Sequence, residues 1–234
     1  RLESIHQKEL SVRRRSGGAE DRVSLREAGR GNPMIDDKDA SDSTLRLILW
    51  KALIKYSTKK LCALLCDEDA IVRTSAAKQL HLRGTQAVYE KGAELCQCQE
   101  GYLREIGVFL LGQLGTPRRP FRKNSIPIAI YLLANDASHE VRAAAAAALG
   151  HLGASEASNE LIKGAGDSSS EVRTCVAFAL GAMTPSQEVK AALHKLTNDK
   201  DQEVRDWAKL SMEILHDKPT KKRRRPKPQS SSRE

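Results

Sequence analysis

The chain has 234 residues, 40% of them apolar but only 4% aromatic, with a net charge of +9 at neutral pH. This suits a core of aliphatic and small side chains, while the absence of any apolar run near the ~20 residues of a membrane-spanning helix, and of a visible signal peptide, argues against a membrane protein. The charge suggests nucleic acid until it is partitioned: residues 1–43 hold nine basic and nine acidic side chains, 44–216 hold 22 and 19, and 217–234 hold eight and two, so the excess sits mainly in the tail.

In chain order, residues 1–42 mix charges with GG, GRGNP and DDKDASD and lack sustained periodicity, which predicts a disordered segment. A helix is expected from Ser43 or Thr44, where STLRLILWKALIKYS would cap the N-terminal end of a helical stack. From there the chain repeats itself. DASHEVRAAAAAALGHL at 136–152 returns 31 residues later as DSSSEVRTCVAFALGAM. Arg73, Arg104, Arg142, Arg173 and Arg205 mark five copies in steps of 31, 38, 31 and 32, and the long step contains the seven-residue insertion PRRPFRK at 117–123. Each Arg follows Val or Leu, and six residues before it stands Asp67, Asp136, Asp167 or Asp199, with Cys98 the exception.

On a helix turning about 100° per residue, positions −1, +3, +6, +7 and +10 from the Arg share a face. In the fourth copy they are Val172, Val176, Ala179, Leu180 and Met183, all apolar. An apolar helix precedes each of these helices (KKLCALLC, AVYEKGAELC, IAIYLLAN, SNELIKGA, EVKAALHKL), joined by a short polar turn. Two helices in about 31 residues bury no core alone, so neighbours must stack. The expected fold is all-α: a right-handed, armadillo-like α-solenoid of about five helix pairs at 43–216 behind an N-terminal capping helix. Asp in the turn is expected to cap the second helix, and Arg on its flank to reach the next repeat. Together they would form an Asp–Arg ladder of structural rather than catalytic use.

The pattern D-x5-R-x2-A-x3-L-G-x-L-G, carried by Asp136, Arg142, Ala145, Leu149, Gly150, Leu152 and Gly153, resembles the short HEAT-like (PBS-lyase-type) repeats of bacterial proteins and covers about 44–216. More narrowly, LLCDEDAIVRTSAAKQLHLRG followed by YLREIGVFLLGQL is similar to bacterial HEAT-repeat proteins encoded beside Rhs-type polymorphic toxins. That resemblance implies an immunity protein that occludes a toxin domain.

HEAT-repeat enzymes exist, and each kind of chemistry demands its own residues. The di-iron site of deoxyhypusine hydroxylase, a similar fold, needs several His–Glu pairs; only His139–Glu140 occurs here. Phycobilisome lyases share similar repeats, but no residue specifically supports bilin chemistry. Cys62 and Cys66 lie at i, i+4 and Cys96 and Cys98 one repeat later; four thiolates suit zinc in principle, yet a helix turns Cys96 and Cys98 about 200° apart. Core packing is the expected role, with reduced thiols in a cytoplasmic protein, or a nuclear one if the source is eukaryotic. The six His are dispersed, and LGQLG and LGHLG are helix ends. Catalytic residues, a metal site and a cofactor are therefore not expected.

Two binding surfaces remain. At +5 the second helices carry Lys78, Phe109, Ala147, Phe178 and Leu210. This is either a crowded inner wall or a shallow apolar groove walled by Phe109 and Phe178 across Ala147, with Lys78 and Lys209 near its ends. The insertion (Arg118, Arg119, Arg122, Lys123) and the tail (Lys221, Lys222, Arg223, Arg224, Arg225) offer weak, non-specific phosphate contacts. A glycosylase-like basic stripe is missing, since +1 reads Thr74, Glu105, Ala143, Thr174, Asp206. The expectation is a non-enzymatic scaffold that binds a protein partner through its concave face. The alternatives are a nucleic-acid binder using tail and loop, or a metal-dependent HEAT-repeat enzyme.

Overall fold

The computed structural model describes residues 37–217, and among them it is all-helical. A capping helix α1 (Asp37–Leu53) precedes five pairs: α2 (Thr58–Leu64) with α3 (Ala70–Leu80), α4 (Gln86–Leu95) with α5 (Gly101–Gln113), α6 (Arg122–Asn135) with α7 (His139–Leu152), α8 (Ser158–Gly164) with α9 (Ser170–Ala182), and α10 (Gln187–Leu196) with α11 (Gln202–Asp217). A 3-10 turn at Ser155–Ala157 leads into α8. The capping helix starts at Asp37, six residues ahead of the expected Ser43. Residues 37–42, part of the segment 1–42 expected to be disordered, therefore belong to this helix. The remainder of that expectation, 1–36, and the disorder expected of the basic tail beyond residue 217 lie outside the described residues.

The second helices start for a local reason that corrects one expectation. Their N-caps are Asp69, Ser138, Ser169 and Asp201, two residues after each ladder Asp. Asp69 Oδ1 accepts from the Ile71 and Val72 N–H groups, and Asp201 Oδ1 from those of Glu203 and Val204. Asp67, Asp136, Asp167 and Asp199 instead accept the N–H of the capping residue, at 2.9–3.0 Å. They brace the turn one step ahead of the helix, because a carboxylate on so short a side chain reaches i+2 most easily.

Apolar burial forms two clusters that meet along α5. Leu103, Ile106, Leu110 and Leu114 pack toward α1–α4, whereas Val108 and Leu111 join α6–α11. Second helices lie against one another closely at the last three joints. A Cβ on Gly112 would fall 2.6 Å from that of Ala148, one on Gly150 2.9 Å from Ala179 Cα, and one on Gly181 2.7 Å from Ser211 Cβ. First helices stand further apart, leaving grooves of about 950 and 660 Å³ on either side of α6, with Tyr131 on the ridge between them. Close spacing on one side and wide spacing on the other bend the stack around the second helices, which form its inner face.

The insertion is less of a loop than expected. Phe121 stacks on Tyr89 at 4.9 Å between ring centres, and Arg122 and Lys123 already belong to the first turn of α6. The Gly115 N–H donates to the His81 carbonyl, where a Cβ on Gly84 would lie 2.8 Å from Gly115 Cα.

Candidate interaction face

The five repeat arginines sit at equivalent places, and their bonding shows what each can still do. One edge of each guanidinium stays within its own repeat. Nη1 donates to the carbonyls six and five residues back: Asp67 and Glu68 for Arg73, Cys98 and Gln99 for Arg104, Asp136 and Ala137 for Arg142, Asp167 and Ser168 for Arg173. Arg205 likewise donates to the Asp199 carbonyl, at 2.6 Å. The other edge crosses to the next pair. Nε and Nη2 of Arg104 grip Asp136 at 2.7 and 2.8 Å, those of Arg142 grip Asp167 at 2.8 and 3.0 Å, and those of Arg173 grip Asp199 at 2.8 and 2.9 Å. Such two-point pairs fix angle as well as distance.

The ends of the series differ. Where Arg73 would find its carboxylate stands Cys98, and the guanidinium lies over the Tyr102 ring at 4.6 Å instead. Arg205 belongs to the last pair and turns to Gln202. The Arg104 bond holds the Asp136 carboxyl below its ordinary range, and Arg173 does the same for Asp199. At Asp167 burial pushes upward, but the Arg142 bond, the Ser169 N–H and the Arg142 charge together outweigh it.

The apolar residues of the expected groove are less available than an open surface requires. Ala147 is 5% exposed, closed in by the neighbouring helices. Phe109 and Phe178 are half-buried and packed against the two core clusters. Phe178 lies 5.2 Å from the His151 ring and 5.6 Å, edge-on, from Trp207, so the three rings tie α7, α9 and α11 together. The crowded wall therefore describes this region better than a groove floored by Ala147. Lys78 is half-buried and Lys209 exposed, at opposite ends of the series.

What the inner face does present is negative charge. Glu105 on α5, Glu140 on α7 and Glu171 on α9 lie on three successive second helices. His139 Nδ1 is 3.3 Å from Glu140 and its Nε2 3.7 Å from Glu171. Burial raises the Glu105 pKa, the Glu171 and Glu140 charges add to this, and the nearby Arg73 charge opposes it. Among the described residues none of the three glutamates has a lysine or arginine within ion-pair distance. A sequence signal exists for two of the three: E-V-R recurs at 140–142 and 171–173, and again at 203–205, whereas Glu105 follows its Arg. It is easily read as first-turn helix acid alone.

The thiols and the basic loop resolve differently. Burial pushes Cys96 and Cys175 up to about 12, leaving them protonated and inert. Cys66, Cys96 and Cys98 lie in the links that follow α2 and α4 rather than on the helices. Among the described residues no group of three or more His, Cys, Asp or Glu is placed to hold a metal ion. Arg122 is committed inside the fold, donating to the Leu152 and Gly153 carbonyls and, through both terminal nitrogens, to Glu156 at 3.0 Å. It is thus withdrawn from the expected phosphate-binding set, while Arg118 and Lys123 remain exposed and Arg119 is half-buried.

Residues 126–213 match the family model for HEAT repeats. Protein YibA of Escherichia coli K12 is 33% identical over 97 residues, which is 42% of this chain and 34% of YibA, so the match spans about a third of that relative's length. A crystal structure of YibA superposes with a TM-score of 0.65 at 25% identity, covering 81% of this chain and 66% of the other. The CpcE–CpcF complex of phycocyanin lyase from Nostoc gives 0.55 at 20% identity, covering 69% and 98%. A designed armadillo repeat protein in complex with the peptide (KR)4 gives 0.54 at 20% identity, covering 77% and 95%. The fold is a HEAT/armadillo-type helical repeat solenoid.

Proposed function

We propose that this solenoid is a protein-binding scaffold whose inner face takes a basic segment of its partner. The reading is carried by Glu105, Glu140 and Glu171. They form an acidic band along three adjacent helices, with one member kept where burial and like charge disfavour its ionisation. Charge held against such a cost is a common mark of a binding surface. A solenoid offers an extended inner surface for a chain to lie along, and a designed armadillo repeat protein of similar fold is described in complex with (KR)4, a peptide of that chemistry. Occlusion of a toxin domain, the role implied by the resemblance to immunity proteins, would be one instance of this act. Phe109 and Phe178 then serve as half-buried walls beside the band rather than as principal anchors.

The test is titration of the full chain with a fluorescent Lys/Arg-repeat peptide, with an acidic peptide as control. Binding of the basic peptide that weakens with salt, and falls at least roughly tenfold in an E105Q/E140Q/E171Q variant, supports the proposal. Equal affinity of the triple variant and the parent would overturn it. Nucleic-acid binding keeps no comparable observation in the described body, where Arg122 is already paired with Glu156.

A further inference from the structure

We infer that the joint between α3 and α5 is the seam at which the stack opens first, with α1–α3 leaving as one body. The other three joints between second helices share three features. Each has a two-point Arg–Asp rung. Each has a glycine eight residues after the rung Arg: Gly112, Gly150 or Gly181. Facing that glycine, six residues after the next Arg, is a small residue: Ala148, Ala179 or Ser211.

The first joint lacks all three. Cys98 replaces the carboxylate, His81 stands at the glycine position, and Leu110 at the small one. The consequence is visible in packing, because α3 touches α5 far less than α5 touches α7 or α7 touches α9. What remains is the apolar cluster of Ala76, Ala77 and Leu80 with Leu103, Ile106 and Leu110, Arg73 over Tyr102 and, just past the C-terminal ends of the two helices, the backbone bond from the Gly115 N–H to the His81 carbonyl. Apolar contact is non-directional and does not fix an angle as a rung does. The stretch N-terminal to the seam is tied to itself. Gln79 donates to the Trp50 carbonyl at 3.0 Å, and Arg83 donates to Thr58 Oγ1 at 2.9 Å and to the Tyr56 carbonyl at 2.5 Å. Those bonds cross α1, α2 and α3 and lie on the leaving side of the seam. Opening would bare the apolar face of α5 and separate Arg73 from Tyr102, so the N-terminal end of the inner face is adjustable while the part from α5 to α11 stays fixed.

Amide hydrogen exchange on the full chain tests this. In a uniform stack α2–α3, flanked on both sides, would be at least as protected as the terminal pair α10–α11. The seam predicts the reverse, with α2–α3 exchanging faster and as a group. Restoring the rung with Cys98→Asp should slow α2–α3 exchange by about tenfold, the scale of one charge-assisted pair, and Cys98→Asn, similar in shape but uncharged, by much less. On an Arg73→Ala background the effect of Cys98→Asp should vanish. Protection of α2–α3 equal to or above that of α10–α11 overturns the inference, as does a Cys98→Asp effect that is absent or indifferent to Arg73. Should Cys98→Asp fail to fold, the comparison of the two end pairs in the unmodified chain decides alone.

Discussion

Arg173 carries the most at the level of single residues. Its side chain is 7% exposed and holds Asp199 and two carbonyls, one edge to each repeat. Arg173→Ala strands those acceptors and should cost about 1–3 kcal/mol in urea unfolding. The rungs also set an acid limit. Asp136, Asp167 and Asp199 titrate below their ordinary value of 3.8, so their contribution is complete above that value and is lost as pH falls through the depressed ones. Stability measured against pH should therefore drop below about pH 4, less steeply in Arg173→Ala because one rung is already gone. Glu105 has the opposite sign. Its carboxyl is raised by burial and by Glu171 and Glu140, so ionisation opposes folding at neutral pH. Glu105→Gln should raise the thermal midpoint at about pH 7. The gain should shrink as pH falls through the raised value and vanish below the ordinary 4.5, and a variant no more stable than the parent at neutral pH would contradict it.

Between helices, contact is decided by the smallest side chains. Gly112→Val would drive a branched side chain into Ala148, whose Cα lies 2.7 Å from where the new Cβ must stand. We expect a loss of about 2–3 kcal/mol with secondary structure retained, read by thermal unfolding and circular dichroism. Phe178→Ala removes a ring that joins three helices, so its first effect should be on stability, about 2–3 kcal/mol, with any change in peptide affinity following from that. Contact between helices also divides what was legible in the sequence from what was not. The period, the five pairs and the Arg positions could be read because they repeat along the chain. The position of Asp one step ahead of the cap, the burial of Ala147 and the withdrawal of Arg122 could not, because each depends on how near the next helix comes. The crowded-wall alternative at +5 allowed for close packing, but only the Gly112–Ala148 distance shows how close the helices lie.

Across the whole molecule, charge and connectivity part company. The body from 44 to 216 is only modestly basic, while residues 217–234 hold eight basic side chains against two acidic ones. Any retention on a nucleic-acid column at low salt should therefore disappear on truncation after His216, and retention that survives would place the phosphate contacts in the body. Within the stack the rungs span 32, 25 and 26 residues of chain, the longest enclosing the insertion. Closing a loop of 32 rather than 25 residues costs only roughly 0.2 kcal/mol more in chain entropy, which is why the extra residues between α5 and α6 leave the rung intact. Such short spans bear on how the protein folds. No rung waits for a distant partner, so contact order stays low and does not grow with the number of repeats. Refolding should start within the run of complete rungs from α5 to α11, wherever two neighbouring pairs first meet, and spread outward. The helices before α5 should be the last to gain protection in a pulse-labelling experiment.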